Sequence, residues 1–310
     1  MLFLLLFIPL TAADSYALIY KTRNLAIYAT DPLGTGLQDT FNRLDSRIDE
    51  LQMNLGIYVD ARAEIRIVKD HKSYQQLALG KNKIVEFSNA FYSSREQRIY
   101  IRSATEIAES YLQVLMHEYI HWYLEKIFNH TPLWFHEGLA TGYSGQMGFE
   151  RYLLFLRYSF FGRHSDLFRM SYSYPENRSE WELFYLSSSM AVTYMRQKRE
   201  KEWNSFWTLV SEQYRSGNKA DFTHSFNRAF HSDLFSFHHQ FRKYIKSLKV
   251  QYLIFSINGL LAMLLPFVLI AAHFRKRRRI ATLPDLPEPV DEQDDPPEAI
   301  DTAIPDKDIS

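Results

Sequence analysis

The chain has 310 residues, 46% of them apolar, with 36 Lys and Arg balanced by 36 Asp and Glu, and no cysteine. That length and apolar content can bury a sizeable core, in one large domain or two small ones, and a net charge of zero argues against a dedicated nucleic-acid binder. The missing cysteines exclude a disulfide framework, a thiolate metal site, a cysteine nucleophile and palmitoylation, so any metal must rest on His, Asp or Glu.

The chain opens on an apolar run, Met1 to Leu10, followed by Thr11-Ala12-Ala13. A bilayer span needs about 20 residues, so this run is too short to be one. A short apolar stretch before small residues reads as a secretory signal peptide, residues 1–13. The competing reading is a buried N-terminal strand, which the lack of any Lys or Arg before the run supports.

Residues 14–250 then read as one extracytoplasmic domain without internal repeats. Leu25-Ala26-Ile27-Tyr28 is a short strand, and Leu37 to Leu55 carries Phe41, Leu44, Ile48, Leu51 and Leu55 at helical spacing. Glu64 to Val68 alternates as a strand does, and Ser73 stands where it could cap a short helix. Arg98-Ile99-Tyr100-Ile101-Arg102 alternates like a half-buried edge strand, which an extended peptide could join. From about Ala104 the pattern is helical, broken at Asn129 to Pro132 and at Tyr172 to Ser179. A small sheet followed by helices is an α+β arrangement. The aromatic segment Tyr152 to Phe161 reads as core helix rather than a lipid-contacting patch.

Residues 251–274 form the expected transmembrane helix. The 20 residues Leu253 to Ala272 contain no charge, and five cations, Arg275 to Arg279, follow closely. At about 1.5 Å per residue the run spans the hydrocarbon layer, and the cationic block marks the cytoplasmic side. Arg242, Lys243, Lys246 and Lys249, before the span, lie on one face of an amphipathic stem and could contact lipid headgroups. Residues 275–310 complete the chain as a basic stop-transfer block and a tail. From Ala281 onward that tail holds ten acids, one base, six prolines and no aromatic residue. Such a segment cannot form a core, so it reads as disordered and solvated, with docking of a basic cytoplasmic partner as its functional alternative.

Chemistry concentrates in His117-Glu118-Tyr119-Ile120-His121. Histidines at i and i+4 share one helix face, so both can reach one Zn²⁺, while Glu118 sits beside its open position. Taken alone, the pentapeptide fits a core helix with two satisfied histidines equally well. Sixteen residues after His121 comes Glu137, within Trp134-Phe135-His136-Glu137-Gly138-Leu139-Ala140. The break at Asn129 to Pro132 lets a second helix fold back, and its glutamate would complete a His₂Glu set with one open position.

At these residues the chain resembles the gluzincin metallopeptidases, the clan that pairs H-E-x-x-H with a downstream glutamate, and in particular its peptidase MA-like branch. Trp134 to Ala140 is similar to the W-x-x-E-G-[F/L]-A motif there, and Phe184-Tyr185-Leu186-Ser187 to the Tyr-x-x-Ser run in the helical part. The resemblance implies a zincin-like fold: a small N-terminal mixed sheet, an active-site helix, then mainly helices. It implies His117, His121 and Glu137 as zinc ligands, Glu118 as catalytic base and Tyr185 as the oxyanion donor, with Tyr143, Tyr152 and His136 as rivals. The substrate would be a peptide or protein, hydrolysed by a zinc-activated water. No G-x-M-E-N motif for a substrate's free amine is found, and position 141 is Thr where some relatives carry an aspartate that buttresses a ligand histidine. The expected protein is thus a single-pass membrane zinc metallopeptidase with its catalytic domain outside the cytoplasm (the periplasm in a Gram-negative cell). The alternative is a non-catalytic, zinc-containing receptor or scaffold that docks partners through its acidic tail, although a structural zinc site has no use for Glu118. An intramembrane protease fails on placement, because the motif precedes the span by roughly 130 residues.

Overall fold

The computed structural model describes residues 16–30, 36–79, 88–107 and 110–281. The expected signal peptide and nearly all of the acidic tail lie outside the described residues. The architecture is mixed α+β, a five-stranded sheet followed by helices.

Strands β1 (Ala17–Lys21), β2 (Leu25–Ala29), β3 (Ala63–Val68), β4 (Ala90–Ser93) and β5 (Arg98–Arg102) lie in the order β1-β2-β3-β5-β4. The inner pairs β2–β3 and β3–β5 are parallel, and the outer pairs are antiparallel. Helix α1 (Leu37–Leu55) connects β2 to β3, covering the expected span and burying the expected stripe of Phe41, Leu44, Ile48, Leu51 and Leu55. Helix α2 (His71–Ala78) is capped by Asp70, not Ser73: the Asp70 carboxylate accepts from the Ser73 backbone N–H at 2.9 Å.

One expectation is overturned. The segment Arg98 to Arg102 is not an edge strand, because β4 covers it on one side and β3 on the other. The polar positions that suggested an edge are neutralised: Arg98 pairs with Glu64 at 2.8 Å, in register between β5 and β3, and Arg102 with Glu106 at 3.1 Å.

Helix α3 (Tyr111–Ile127) carries the H-E-x-x-H residues, and twelve of its 17 residues are buried. An apolar surface on almost all sides makes it a central helix of the core. It ends at Phe128, where a bridge to Ala220 and the Asn129 N–H to Ala220 carbonyl bond turn the chain. Helix α4 (Leu133–Tyr143) returns from this turn. Its Phe135 packs into a cluster of Phe206, Trp207 and Phe222, which fixes the rotation of α4 about its own axis.

Helices α5 (Phe149–Phe160), α6 (Arg178–Lys198), α7 (Glu200–Arg215) and α8 (Phe222–Phe230) follow. Helix α9 (Leu234–Ala281) packs Phe237, Phe241, Ile245 and Leu248 into the core. The chain divides into one unit up to Phe255 and a second from Ser256 onward. Within α9 lies a window of mean hydropathy 2.4 that is entirely unburied, so by length and composition this helix could cross a membrane.

Candidate metal centre

Three side chains from α3 and α4 converge. The Nε2 atoms of His117 and His121 stand 3.1 Å apart, and Glu137 Oε2 lies 3.4 Å from the first and 3.6 Å from the second. A four-coordinate zinc with bonds of about 2.0–2.1 Å needs its donors roughly 3.3–3.4 Å apart, so this triangle is the right size. Glu137 Oε2 is buried and makes no hydrogen bond. An orphaned carboxylate oxygen aimed at two imidazole nitrogens is costly unless a cation or proton sits between them. The residues therefore fit a metal ion, and the group His117, His121 and Glu137 could hold one.

Electrostatics gives the same answer. Burial opposes ionisation of Glu137, but the facing His121 and His117 outweigh it and hold the carboxyl at about 2. Burial also pulls His117 down, yet the Glu137 carboxylate overrides this and raises it. His121 falls to about 3, chiefly through burial. The carboxylate of Glu137 is thus held ionised in a buried site by the two imidazoles facing it, a position that favours positive charge.

Around this triangle stand groups that orient the donors. His117 Nδ1 meets Gln146 Oε1 at 2.9 Å, which turns Nε2 toward the centre. His121 Nδ1 faces His136 Nδ1 at 3.4 Å, with the two rings stacked at a centroid distance of 5.6 Å. Tyr174 donates to Glu137 Oε1 at 2.5 Å and so leaves Oε2 for the centre. His136, one of the rivals to Tyr185, thus acts on a ligand imidazole. Burial lowers it to about 4, so it is neutral near pH 7.

Glu118 adjoins the donors but is not one of them. Its buried carboxyl is raised to about 7, mainly by desolvation, with the charge of His117 and a hydrogen bond from the Tyr92 backbone N–H opposing the rise. Tyr92 lies on β4, one of the two outer strands among the described residues. Asn89 turns its carbonyl inward to the Arg102 N–H, so the ladder's alternation leaves the backbone of Ala90 and Tyr92 facing outward.

A cleft of about 370 Å³ opens over the centre, lined by the three donors, Glu118, Glu125, β4 residues 90–92, Tyr174 and Tyr185. Tyr185 is brought to the cleft as expected. The other two rivals are turned elsewhere: Tyr152 bonds Gln251 at 3.0 Å, and the Tyr143 ring lies under the Arg196 guanidinium. Gln146 and Tyr174 were not among the expected residues, since both lie in connections between helices where no periodic spacing marks them. Glu125, one helical turn after His121, was within reach of the spacing argument that finds His117 and His121.

The chain matches no protein-family model, and no curated protein matches it significantly.

Proposed function

We propose that this protein is a membrane-anchored, zinc-dependent metallopeptidase with a zincin-like catalytic domain outside the cytoplasm. The observation that carries the reading is the donor triangle with Glu118 beside it, in one cleft bordered by the outer strand β4. The metal's place is that of His117, His121 and Glu137, and zinc is the ion best suited to two imidazoles, one carboxylate and an open position. Bound there, zinc would supply Lewis acidity for a carbonyl and for an attacking water.

The chain's own residues account for the rest. Glu118 accepts a proton from the attacking water and returns it to the leaving amine; burial raises its carboxyl above the ordinary range, which suits a group that takes up and gives back one proton. Tyr174 is committed to Glu137 and Tyr92 leans on Glu125, so of the three cleft tyrosines Tyr185 is the one assigned to the developing oxyanion. The outer side of β4 suits an extended peptide pairing at the Ala90 N–H and the Tyr92 carbonyl, since the Tyr92 N–H is held by Glu118 and the Ala90 carbonyl by Ser88. A wider hollow of about 780 Å³ shares Thr131, Leu133, His136 and Tyr174 with the first, giving room for residues beyond the cleaved bond.

Placement outside the cytoplasm rests on the apolar N-terminal run and on the cations that follow the apolar stretch of α9. The test is Glu118→Gln in the full-length, detergent-purified protein. It should keep about one zinc per chain and lose peptide hydrolysis by at least 10²-fold. A variant that cleaves peptides as the wild type does would refute the assignment.

A further inference from the structure

We propose that the C-terminal corner of α5 docks on the lipid surface, with Phe160 and Phe161 in the bilayer interface. The proposal rests on reading α9 as a membrane span. Twenty uncharged residues, Leu253 to Ala272, would fill the hydrocarbon layer, which puts Tyr252, immediately before them, at the boundary. Two contacts bring α5 to that boundary. Phe160 lies 5.2 Å from the Tyr252 ring, and Tyr152, two turns earlier on the same face, donates to Gln251 at 3.0 Å.

The corner is built for an interface. The helix buries Phe155, Leu156 and Ser159, yet Phe160 and Phe161 remain 39% and 69% exposed with their rings in contact. Large aromatic rings left in water beside Tyr252, the residue before the apolar run, suit the headgroup level, where one side is wet and the other apolar. Charge agrees with this. Arg157 and Arg163 are exposed at the corner, while Arg242 and Lys246 point outward from α9, which carries no acidic residue from Leu234 to Ala281. Such a cationic collar complements anionic headgroups. The segment read from sequence as core helix is therefore core along one face and exposed aromatic at its end. At the other end of α5, Arg151 donates to the Gln146 carbonyl at 3.3 Å, so the same helix joins the docking corner to the loop that orients His117.

Because the chain has no cysteine, single labels can be placed without background. Phe161→Cys, Leu261→Cys and Met53→Cys, each in the full chain, would be spin-labelled and reconstituted in vesicles of phosphatidylcholine and phosphatidylglycerol. Collision with oxygen and with a water-soluble nickel chelate reads depth. The label at 261 should be oxygen-rich, the label at 53 should be open to nickel, and the label at 161 should lose nickel accessibility relative to 53. If 161 is as open to nickel as 53 while 261 stays oxygen-rich, the docking proposal is overturned and the span survives. If 261 is open to nickel as well, the span fails and the docking proposal falls with it.

Discussion

Gln146 does for His117 what His136 does for His121: each meets the Nδ1 of a ligand imidazole and leaves Nε2 to the centre. Removing such an orienting partner usually weakens metal affinity by about 10–100-fold. Gln146→Ala should therefore raise the zinc dissociation constant by that factor, measured by competition with a chromophoric chelator, while the fold is kept. Under the proposed function Tyr185 is assigned to the reaction instead. Tyr185→Phe should retain zinc and lower kcat by roughly 10²–10³-fold with little change in KM, the pattern of a donor used in the transition state. Four of the centre's residues were legible from the sequence because a helix converts spacing into direction: His117, Glu118 and His121 share one helix, and Glu137 follows a helix break. Gln146 and Tyr174 were not legible, because their approach depends on the path of irregular connections that no period encodes.

At the scale of elements, the close contact of α4 with α6 sets the position of Glu137. A Cβ on Gly138 would come within 2.3 Å of the Ser188 carbonyl oxygen and 2.7 Å of Val192 Cγ2. The facing helix supplies Ser187, Ser188 and Ser189, all buried, small enough for the backbones to approach. Gly138→Ala must push the two helices apart, which should cost about 1–3 kcal/mol of stability, read as a lower thermal midpoint, and should displace Glu137 enough to weaken zinc binding. The sequence motif placed this glycine beside the ligand, but only the structure explains why it is needed there. Helix α1 was readable to the residue because its apolar stripe is regular and its end falls at Gly56, at φ 69°. Strands β1 and β4 went unseen because neither Ala17–Lys21 nor Ala90–Ser93 alternates polar and apolar residues, and both are short outer strands. The misplaced sheet edge has an electrostatic cause: an arginine on an inner strand looks like an edge residue until its partner, Glu64 on the neighbouring strand, is known.

Across the whole molecule, the balanced charge of the opening arithmetic separates into regions. Residues 1–274 carry 30 cations and 26 acids, a net of +4; residues 275–280 add +5, and residues 281–310 contribute −9. Under the membrane reading these regions lie on two sides of a bilayer, so the total of zero describes no surface that a partner would meet. The absence of cysteine has a more direct outcome, because the chain offers its metal two imidazoles and a carboxylate drawn from separate helices. A ligand that binds only the folded state stabilises it in proportion to the logarithm of its concentration over its dissociation constant, so zinc should hold α3 and α4 together. The most direct test is zinc content and thermal midpoint of the full-length protein, wild type beside Glu137→Ala, with and without a chelator. The wild type should carry about one zinc per chain and lose thermal stability on chelation, whereas Glu137→Ala should carry little zinc and be insensitive to the chelator. A wild-type protein that holds no zinc near pH 7, or a Glu137→Ala variant that holds as much as the wild type, would contradict the account.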